Sequence, residues 1–282
     1  MLIFETQLAL IEHLKVNSDS KTTLGFVPTM GALHQGHLSL VEKSLQNNDL
    51  TVVSIFVNPT QFNNPEDLEK YPRNLESDIA KLQNLNDNMI IYAPTVDDIY
   101  EGNTISKSFY FDGLENQMEG KFRPGHFEGV GTIVKRLFEI VNPTNAYFGE
   151  KDFQQLQIIK KLVEKENFSI NIVECPIFRE ENGLAMSSRN ERLSPNDRNA
   201  AAIIYKTLLE VKNKFPLESL SEIAIWVNQV FENQSDFKLD YFEIADETTL
   251  QTCETKNQNQ KCRAFIAVFV NNVRLIDTIS LN

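Results

Sequence analysis

The sequence has few cysteines, and they lack the spacing of a disulfide framework or a zinc site. Cys175, Cys253 and Cys262 are odd in number and far from any Cys-x-x-Cys pattern. We therefore predict buried thiols with no structural bond or metal between them.

Positive charge is also scarce. The chain has 27 Lys and Arg against 39 Asp and Glu, which gives a formal charge of −12 and an isoelectric point near 4.9. Proteins that bind nucleic acids gain most of their affinity from clustered Lys and Arg. We therefore expect no nucleic-acid partner, and any phosphate that is bound should belong to a small molecule in a local basic pocket.

Long apolar runs are missing as well. No stretch approaches the roughly 20 apolar residues that a membrane helix needs. The first segment, MLIFETQLALIEHLKV, has apolar residues at helical spacing and no unbroken run of leader length. We expect a helix there, no membrane partner and a cytoplasmic location.

Apolar residues nevertheless make up 41% of the 282 residues, enough for a sizeable core. Strand-like runs alternate with helical patterns along the first part of the chain; the runs are TLGFV, TVVSIFV, MIIYAP, NAYFGE and FSINIVECPIF. This alternation predicts an α/β fold, a Rossmann-like parallel sheet with helices on both faces. Ligands of such sheets bind beyond the carboxyl ends of the strands.

The pattern changes after residue 176. Ser194, Pro195 and Asp197 have the order of a helix N-cap, a first helical position and a capping box in SPNDRNAAAIIYKTLLEVKNKF. A second helix, LESLSEIAIWVNQVFEN, and the strands LDYFEIAD, CRAFIAVFV and VRLIDTISL follow. We predict a Rossmann-like domain over 1–176 and a smaller α+β domain over 177–282.

Two histidines lie where the first strand-like run gives way to a helix, in PTMGALHQGH. His34 and His37 are three residues apart and so share a helix face. A helix N-terminus attracts anions, and Gly31 and Gly36 allow the backbone to approach one closely. By itself the string is more typical of two ordinary loop histidines.

A second strand-to-helix junction carries GEKD. Gly149 permits a tight turn, Lys151 is a point charge suited to phosphate, and Asp152 suits a helix cap or a ribose hydroxyl. A solvated lysine and a plain capping aspartate would give the same letters.

The segment GLAMSSRN offers hydroxyls and a forked cation together. Ser187 and Ser188 precede Arg189, a combination that suits a triphosphate. A polar, basic loop is the alternative.

Two more segments carry polar side chains that could contact a substrate. NPTQF places Gln61 at the end of the second strand-like run, and GKFRPGHFEGVG contains Arg123 and His126. Turn chemistry alone would also explain both. HQGH, NPTQF and GEKD all follow strands of one parallel sheet, however, so the topology predicts that they share one edge.

Together these segments resemble the pantothenate synthetase family. PTMGALHQGH, SIFVNPTQF, YPRNLESD, EGKFRPGHFEGVGTIV, AYFGEKDFQQL and REENGLAMSSRN have that family's order and spacing from about residue 20 to 195. The family is a branch of the nucleotidyltransferases related to class I aminoacyl-tRNA synthetases.

The resemblance implies an ATP-dependent condensation of pantoate with β-alanine. The pantoate carboxylate attacks the α-phosphorus of ATP to give pantoyl adenylate and pyrophosphate, and the β-alanine amine then displaces AMP. Such chemistry needs positioning and charge stabilisation more than a protein nucleophile, and the sequence shows no nucleophilic triad.

The resemblance also implies the site residues. His34, His37, Lys151 and Arg189 would stabilise the phosphates, with His37 also donating a proton, and Gln61 and Gln155 would bind pantoate. The expected ATP contacts are Met30, Gly31, Ala32, Leu33, His34, Gln35, Gly36, His37, Gly149, Glu150, Lys151, Asp152, Phe178, Met186, Ser187, Ser188 and Arg189.

Mg²⁺ would accompany ATP, and the family is usually a homodimer. Asp78 is a candidate to orient the metal or simply a helix-start carboxylate. Phe178 replaces a smaller aliphatic residue of the family, so the expected contact there is through its backbone. Arg123 and His126 either serve β-alanine or shape their loop.

Other functions remain open from the residues alone. A related adenylyltransferase that acts on another small acid or a phosphate acceptor would keep the ATP segments. A non-catalytic nucleotide-binding protein would keep the fold, whereas the negative charge and short chain disfavour a tRNA synthetase.

Overall fold

The computed structural model describes residues 1–282. Its internal contacts divide the chain into two compact units, which are described in turn. The first unit comprises Met1–Glu115, Gly120–Gly149 and Gln155–Cys175, and the second comprises Asn116–Glu119, Glu150–Gln154 and Pro176–Asn282. The two domains predicted over 1–176 and 177–282 stay predictions.

A six-stranded sheet runs through the first unit in the order β1-β4-β3-β2-β5-β6. Its strands are β1 Leu2–Phe4, β2 Leu24–Thr29, β3 Leu50–Ile55, β4 Ile90–Tyr92, β5 Asn145–Gly149 and β6 Asn171–Cys175. All neighbouring pairs are parallel. The predicted Rossmann-like parallel sheet is therefore confirmed.

The strand order reverses at β2. From β2 the chain continues to β3 on one side, and β5 later pairs with the other side of β2 through Gly25–Asn145 and Phe26–Ala146. In sheets of this type ligands bind where the order reverses. PTMGALHQGH follows β2, and Gly149 ends the neighbouring β5.

The N-terminal segment differs from its prediction. Leu2–Phe4 is an edge strand paired with Ile90–Tyr92, and only Gln7–Asn17 forms the expected helix α1. Thr6 caps this helix by accepting from the Ala9 N–H. The helical prediction for the first residues was wrong because the open edge of β4, which pairs with them, lies far away in sequence.

Eight α-helices lie along this part of the chain. They are α1, α2 Gln35–Asn47, α3 Pro65–Glu69, α4 Leu75–Leu85, α5 Val96–Tyr100, α6 Met118–Phe122, α7 His126–Val141 and α8 Phe153–Lys165. Apolar residues of α2 (Leu38, Val41) pack with Val27, Val53 and Ile91 of the central strands in one buried cluster. This burial fixes the start of α2 against the end of β2.

The second unit contains helices and an antiparallel sheet, as predicted. The helices are α9 Pro195–Ala200, α10 Ile203–Lys214 and α11 Leu220–Glu232, and the strands are β7 Phe237–Asp246, β8 Cys262–Val270 and β9 Val273–Ser280, in the order β7-β8-β9. Ser194 caps α9 by accepting from the Asp197 N–H, which confirms that cap. The predicted single helix is interrupted at Ala201 and Ala202, two buried residues whose small side chains allow close packing.

All three thiols are buried, as expected. Cys253 and Cys262 have their sulfur atoms 3.5 Å apart as thiols. Among the helices, not one has the length and apolar character needed to cross a membrane.

Candidate active site

The turn after β2 is held in an unusual conformation by one buried carboxylate. Gly31 and Ala32 have φ values of 77° and 48°, in the left-handed region that L side chains rarely adopt. The Ala32 and Leu33 N–H groups donate to the two oxygens of Asp78 at 2.9 and 2.7 Å. Asp78 is 2% exposed, so these bonds are shielded from water and compensate for the strain.

Helix α4 supplies a second contact to the same turn. Lys81 Nζ donates to the Leu33 carbonyl at 2.7 Å, one helical turn beyond Asp78. Asn74 caps this helix by accepting from the Ser77 N–H, so the helix begins three residues before Asp78. Residues three apart on α4 thus clamp the segment that leads into HQGH.

His34 and His37 face each other at the start of α2. His34 is the N-cap, its backbone N–H donates to Nδ1 of His37 at 3.3 Å, and the ring centroids lie 4.0 Å apart. Because Nδ1 of His37 accepts, the neutral ring carries its proton on Nε2. Both side chains are partly exposed, so the turn presents a positioned N–H donor beside a helix N-terminus.

Gln61 connects the end of β3 with the turn after β2. It lies in the short 3-10 helix Pro59–Gln61, is 9% exposed, and its Nε2 is 3.1 Å from the Met30 sulfur. Asn58 donates to Gln61 Oε1 at 3.1 Å and to the Gly129 carbonyl at 3.2 Å. The structure thus brings Gln61 and Met30 together within the first unit.

Arg123 and His126 contact the backbone of Gln61. His126 Nδ1 is 2.8 Å from the Gln61 carbonyl, and Arg123 donates to that carbonyl at 3.4 Å and lies 3.2 Å from His126 Nε2. A Cβ at Gly129 would lie 2.4 Å from the Thr60 carbonyl, so glycine is required for α7 to approach this closely. In these contacts the GKFRPGH segment supports Gln61.

A cavity of about 480 Å³ adjoins this turn. It opens at the carboxyl ends of β2, β3 and β4, where the walls include Met30, Gly31, Phe56, Asp78 and Pro94. Apolar side chains dominate it.

Within GEKD, Gly149 belongs to the first unit and Glu150, Lys151 and Asp152 belong to the second. Glu150, Lys151 and Asp152 form a short 3-10 helix, and Lys151 Nζ is 3.5 Å from Asp152 Oδ2. Gln154 is buried and accepts from the Glu119 N–H at 2.9 Å, whereas Gln155, in the first unit, is partly exposed. Gln155 is therefore the one of the two glutamines whose surface reaches solvent.

A small hairpin in the second unit spans residues 178–186, and its second arm lies in the segment GLAMSSRN. The Met186 N–H donates to the Phe178 carbonyl at 3.0 Å, and Ser187 caps the 3-10 helix Ser188–Arg192. Ser188 is buried, whereas Met186, Ser187 and Arg189 are partly exposed.

Arg179 fixes the base of this hairpin. Its guanidinium donates to both oxygens of Asp277 at 2.7 and 3.0 Å and to the Gly183 carbonyl at 3.2 Å, and it stacks 3.5 Å from the ring of Tyr205. Burial raises the pKa of Asp277, and Arg179 opposes that shift. A bidentate, buried pair of this kind holds its elements in one geometry.

The predicted residues therefore form two sets. Met30, Gly31, Ala32, Leu33, His34, Gln35, Gly36, His37, Gln61, Gly149 and Gln155 lie in the first unit, and Glu150, Lys151, Asp152, Phe178, Met186, Ser187, Ser188 and Arg189 lie in the second. In the first set, direct contacts join His34 to His37 and Met30 to Gln61. Gln35 is the exposed member of the helix start, whereas Gly36 and His37 are partly exposed.

Sequence reasoning missed the residues that hold these segments. Asn58 and Lys81 lie inside quoted or neighbouring stretches without a recognisable pattern, and Arg179 and Asp277 are separated by almost a hundred positions. The one available signal was a charged residue within an apolar strand, as for Arg263 in CRAFIAVFV and Asp277 in VRLIDTISL.

The residues do not form a protein-held metal site. No three His, Cys, Asp or Glu side chains are grouped so as to bind a metal ion. Asp78, the carboxylate considered for Mg²⁺, is engaged with the Ala32 and Leu33 N–H groups.

Comparison with known proteins places this architecture in a family. A family model described as pantoate-beta-alanine ligase matches residues 2–280. The pantothenate synthetase of Flavobacterium psychrophilum is 67% identical over 281 residues, and the alignment covers 100% of each chain.

Solved structures give the same result. Pantothenate synthetase from Thermus thermophilus superposes with a TM-score of 0.91 at 38% identity, covering 100% of this chain and 99% of that chain. The pantoate-beta-alanine ligase from Francisella tularensis, complexed with beta-gamma ATP and beta-alanine, gives 0.82 at 36% identity, covering 100% and 98%. Identity this high over the full length of both partners establishes that this chain belongs to the pantoate–β-alanine ligase family.

Proposed function

We propose that this chain condenses pantoate with β-alanine in two steps. The pantoate carboxylate attacks the α-phosphorus of ATP, which forms a pantoyl adenylate and releases pyrophosphate. The β-alanine amine then attacks the acyl carbon, an amide bond forms, a proton is lost and AMP leaves. The observation that carries this proposal is the clamped turn after β2, which presents a positioned imidazole N–H at a helix N-terminus.

In the first unit, His34 and His37 are proposed to bind the phosphates. The His37 ring is oriented by the His34 N–H, so its Nε2–H donates without reorganisation when charge develops on the transferred phosphoryl group. Gln61 and Gln155 are proposed to bind the hydroxyl and carboxylate oxygens of pantoate, because an amide both donates and accepts.

In the second unit, Lys151 and Arg189 are proposed to neutralise the triphosphate. Ser187 and Ser188 would add hydroxyl donors, Asp152 would accept from a ribose hydroxyl, and the Phe178 and Met186 backbones would contact the nucleoside. The fixed hairpin base at Arg179 supports this role, because it limits the freedom of the segment that carries Arg189.

Mg²⁺ is proposed to enter as part of the ATP substrate, with phosphate oxygens and water as its ligands. Its bound form would neutralise phosphate charge. We also propose a cytoplasmic location, which suits three buried thiols that are not disulfide-bonded.

Isotope transfer tests the order of bond making. Pantoate labelled with ¹⁸O in its carboxylate is incubated with MgATP and β-alanine, and products are analysed by mass spectrometry. We expect pantothenate together with AMP that has gained one ¹⁸O, because the attacking oxygen leaves with AMP. Label in inorganic phosphate, with ADP as product, would contradict an adenylate.

Omitting β-alanine separates the alternatives. Pantothenate synthesis requires that steady AMP release depend on β-alanine. Pyrophosphate release at an equal rate without β-alanine, or with an unrelated acid in place of pantoate, that yields an adenylylated acceptor and no free AMP would indicate an adenylyltransferase of other specificity. No nucleotide turnover at all would indicate a binding protein.

A homodimer is also proposed, on the basis of an exposed apolar segment in the first unit. Residues 104–110 have no assigned helix or strand, and Ile105 and Tyr110 are 67% and 68% exposed. Large apolar side chains exposed close together are typical of a surface that binds another protein chain. Light scattering should give twice 32.3 kDa for the parent and a lower mass for Ile105→Asp combined with Tyr110→Asp, whereas a monomeric parent would refute the dimer.

A further inference from the structure

Arg263 is a buried cation that contacts the turn carrying Lys151. It lies in β8, the central strand of the sheet in the second unit, and its side chain is 7% exposed. It donates to Glu150 Oε2 at 3.2 Å and to Glu247 Oε1 at 3.0 Å. Glu150 immediately precedes Lys151 in the chain, so this ion pair acts on the neighbour of the proposed phosphate ligand.

The same guanidinium also packs on the residue that ends the turn. Its central carbon lies 3.9 Å from the ring centroid of Phe153, and that ring packs in turn against Phe265 of β8. Phe153 is 4% exposed, so the stack is shielded from water and cation–π attraction is effective. Arg263 therefore holds both ends of the segment Glu150–Phe153.

The charge on Glu150 makes this contact relevant to phosphate binding. A carboxylate without a cation would be attracted to the adjacent ammonium of Lys151, which already lies 3.5 Å from Asp152. A second carboxylate on Lys151 would weaken its attraction for a phosphate. While Glu150 is paired with Arg263, its carboxylate does not compete with phosphate for Lys151.

We infer that Arg263 is a positioning residue for ATP binding, which acts by pairing with Glu150 and stacking on Phe153 so that Lys151 stays available to phosphate. The inference depends on the proposed function, because it takes Lys151 as a phosphate ligand. A guanidinium is needed, since only its planar fork can bind two carboxylates while it stacks on a ring.

The test measures KM for ATP, pantoate and β-alanine in Arg263→Met, Arg263→Lys, Glu150→Gln and the double variant Arg263→Met with Glu150→Gln. We expect Arg263→Met to raise the ATP KM about tenfold or more while the other two KM values stay within about twofold, and Arg263→Lys to be intermediate. Glu150→Gln should raise the ATP KM less than Arg263→Met does, because it leaves no unpaired carboxylate beside Lys151. The double variant should recover several-fold toward the parent ATP KM, because the unpaired carboxylate is gone.

A matched variant controls for loss of stability. Arg274→Lys, in β9 of the same sheet, alters a partly exposed arginine that pairs with Glu119 and Asp240 instead of with Glu150. It should lower the thermal midpoint about as much as Arg263→Lys without a selective change in the ATP KM. Calorimetric binding of β,γ-methylene ATP should follow the same order across the variants.

The outcomes separate two failures. If the parent enzyme forms no pantothenate, the proposed function fails. If the parent is active but Arg263→Met leaves the ATP KM unchanged, raises all three KM values together, or is not improved by Glu150→Gln, the inference about Arg263 is overturned.

Discussion

The imidazole of His37 is oriented by its own turn of helix. Its Nδ1 accepts from the His34 N–H, which leaves Nε2–H as the donor and fixes the direction of that N–H bond. A donor that is already oriented stabilises developing charge without the cost of reorganisation. The contact between the two residues thus fixes which nitrogen of His37 donates, and the motif HQGH alone does not predict this.

Replacing His37 tests this donor. His37→Ala should lower kcat/KM by about 10²–10³-fold, or ~3–4 kcal/mol of transition-state stabilisation, with little change in the thermal midpoint. Steady-state kinetics of AMP release measure it. His13→Gln, on α1, is the control and should behave like the parent; a His37→Ala enzyme with parent kinetics would contradict the role.

Asp78 links stability to the conformation of the same turn. Asp78→Ala would leave the buried Ala32 and Leu33 N–H groups without an acceptor, so we expect a loss of about 1–3 kcal/mol in the free energy of unfolding, along with a large fall in activity. Asp78→Asn should be milder, because one amide oxygen remains.

Urea unfolding and kinetics of the same preparations measure both effects. Glu76→Gln, an exposed acidic residue in the first turn of α4, is the matched control. Parent-like stability in Asp78→Ala would show that the turn does not depend on this carboxylate.

At the scale of elements, α7 can approach the Pro59–Gln61 helix closely because position 129 is a glycine, which has no Cβ. A Cβ at Gly129 would lie 2.4 Å from the Thr60 carbonyl and 2.7 Å from the Gln61 N atom, both backbone atoms that cannot rotate away. At Gly131 the nearest atoms, at 2.9 to 3.1 Å, are ring atoms of Phe109 and Phe111.

The two glycines therefore predict a graded result. Alanine favours a helix by about 1 kcal/mol at either position. Gly129→Ala should nevertheless lower the thermal midpoint and raise the pantoate KM, because it displaces Gln61, whereas Gly131→Ala should be clearly milder. Equal effects of the two substitutions on the pantoate KM would contradict the close approach.

At the scale of the whole molecule, buried cysteine thiols and tyrosine hydroxyls should make the free energy of unfolding depend on pH in the alkaline range. Burial raises the pKa of the Cys253 thiol from 9.0 to about 12. It also raises the pKa values of Cys262, Tyr92, Tyr100 and Tyr241. The unfolded chain loses these protons at lower pH than the folded protein does.

Stability should therefore fall as pH rises. The contribution is fully present below about pH 9 and is lost as pH increases through the folded-state values, because the unfolded state then binds fewer protons. Urea unfolding at about pH 7.5, 9 and 10.5 measures the slope. Cys253→Ala should make the decline shallower, and a free energy of unfolding that does not change across this range would refute the assignment.

Much of the fold followed from local pattern. Short apolar runs located most strands, apolar spacing of three and four residues located the longer helices, and the cap at Ser194 was predicted directly from three residues. Leu2–Phe4 was mistaken for helix because its strand identity comes from pairing with Ile90–Tyr92. A partner some ninety residues away leaves no trace in local spacing.

The segments that form the candidate site could be predicted from the sequence, but the residues that hold them in place could not. PTMGALHQGH, NPTQF, GEKD and MSSRN are short, contiguous and chemically distinctive, so they could be named from the sequence. Arg263 and Asp277 could not, since an ion pair between distant residues requires coordinates. Asp78 was named as a candidate from the sequence. Whether its oxygens bind a metal or accept from backbone N–H groups could not be predicted from YPRNLESD alone.

The sequence by itself determined the alternation of elements, the order of the chemical segments and the family, because each depends on residues close together in the chain. Tertiary structure alone decided the strand order, the clamp of Asp78 on the Ala32 turn and the pairing of Arg263 with Glu150. These depend on contacts between distant residues, which exist only after burial has brought their elements together and removed the water that would otherwise satisfy them.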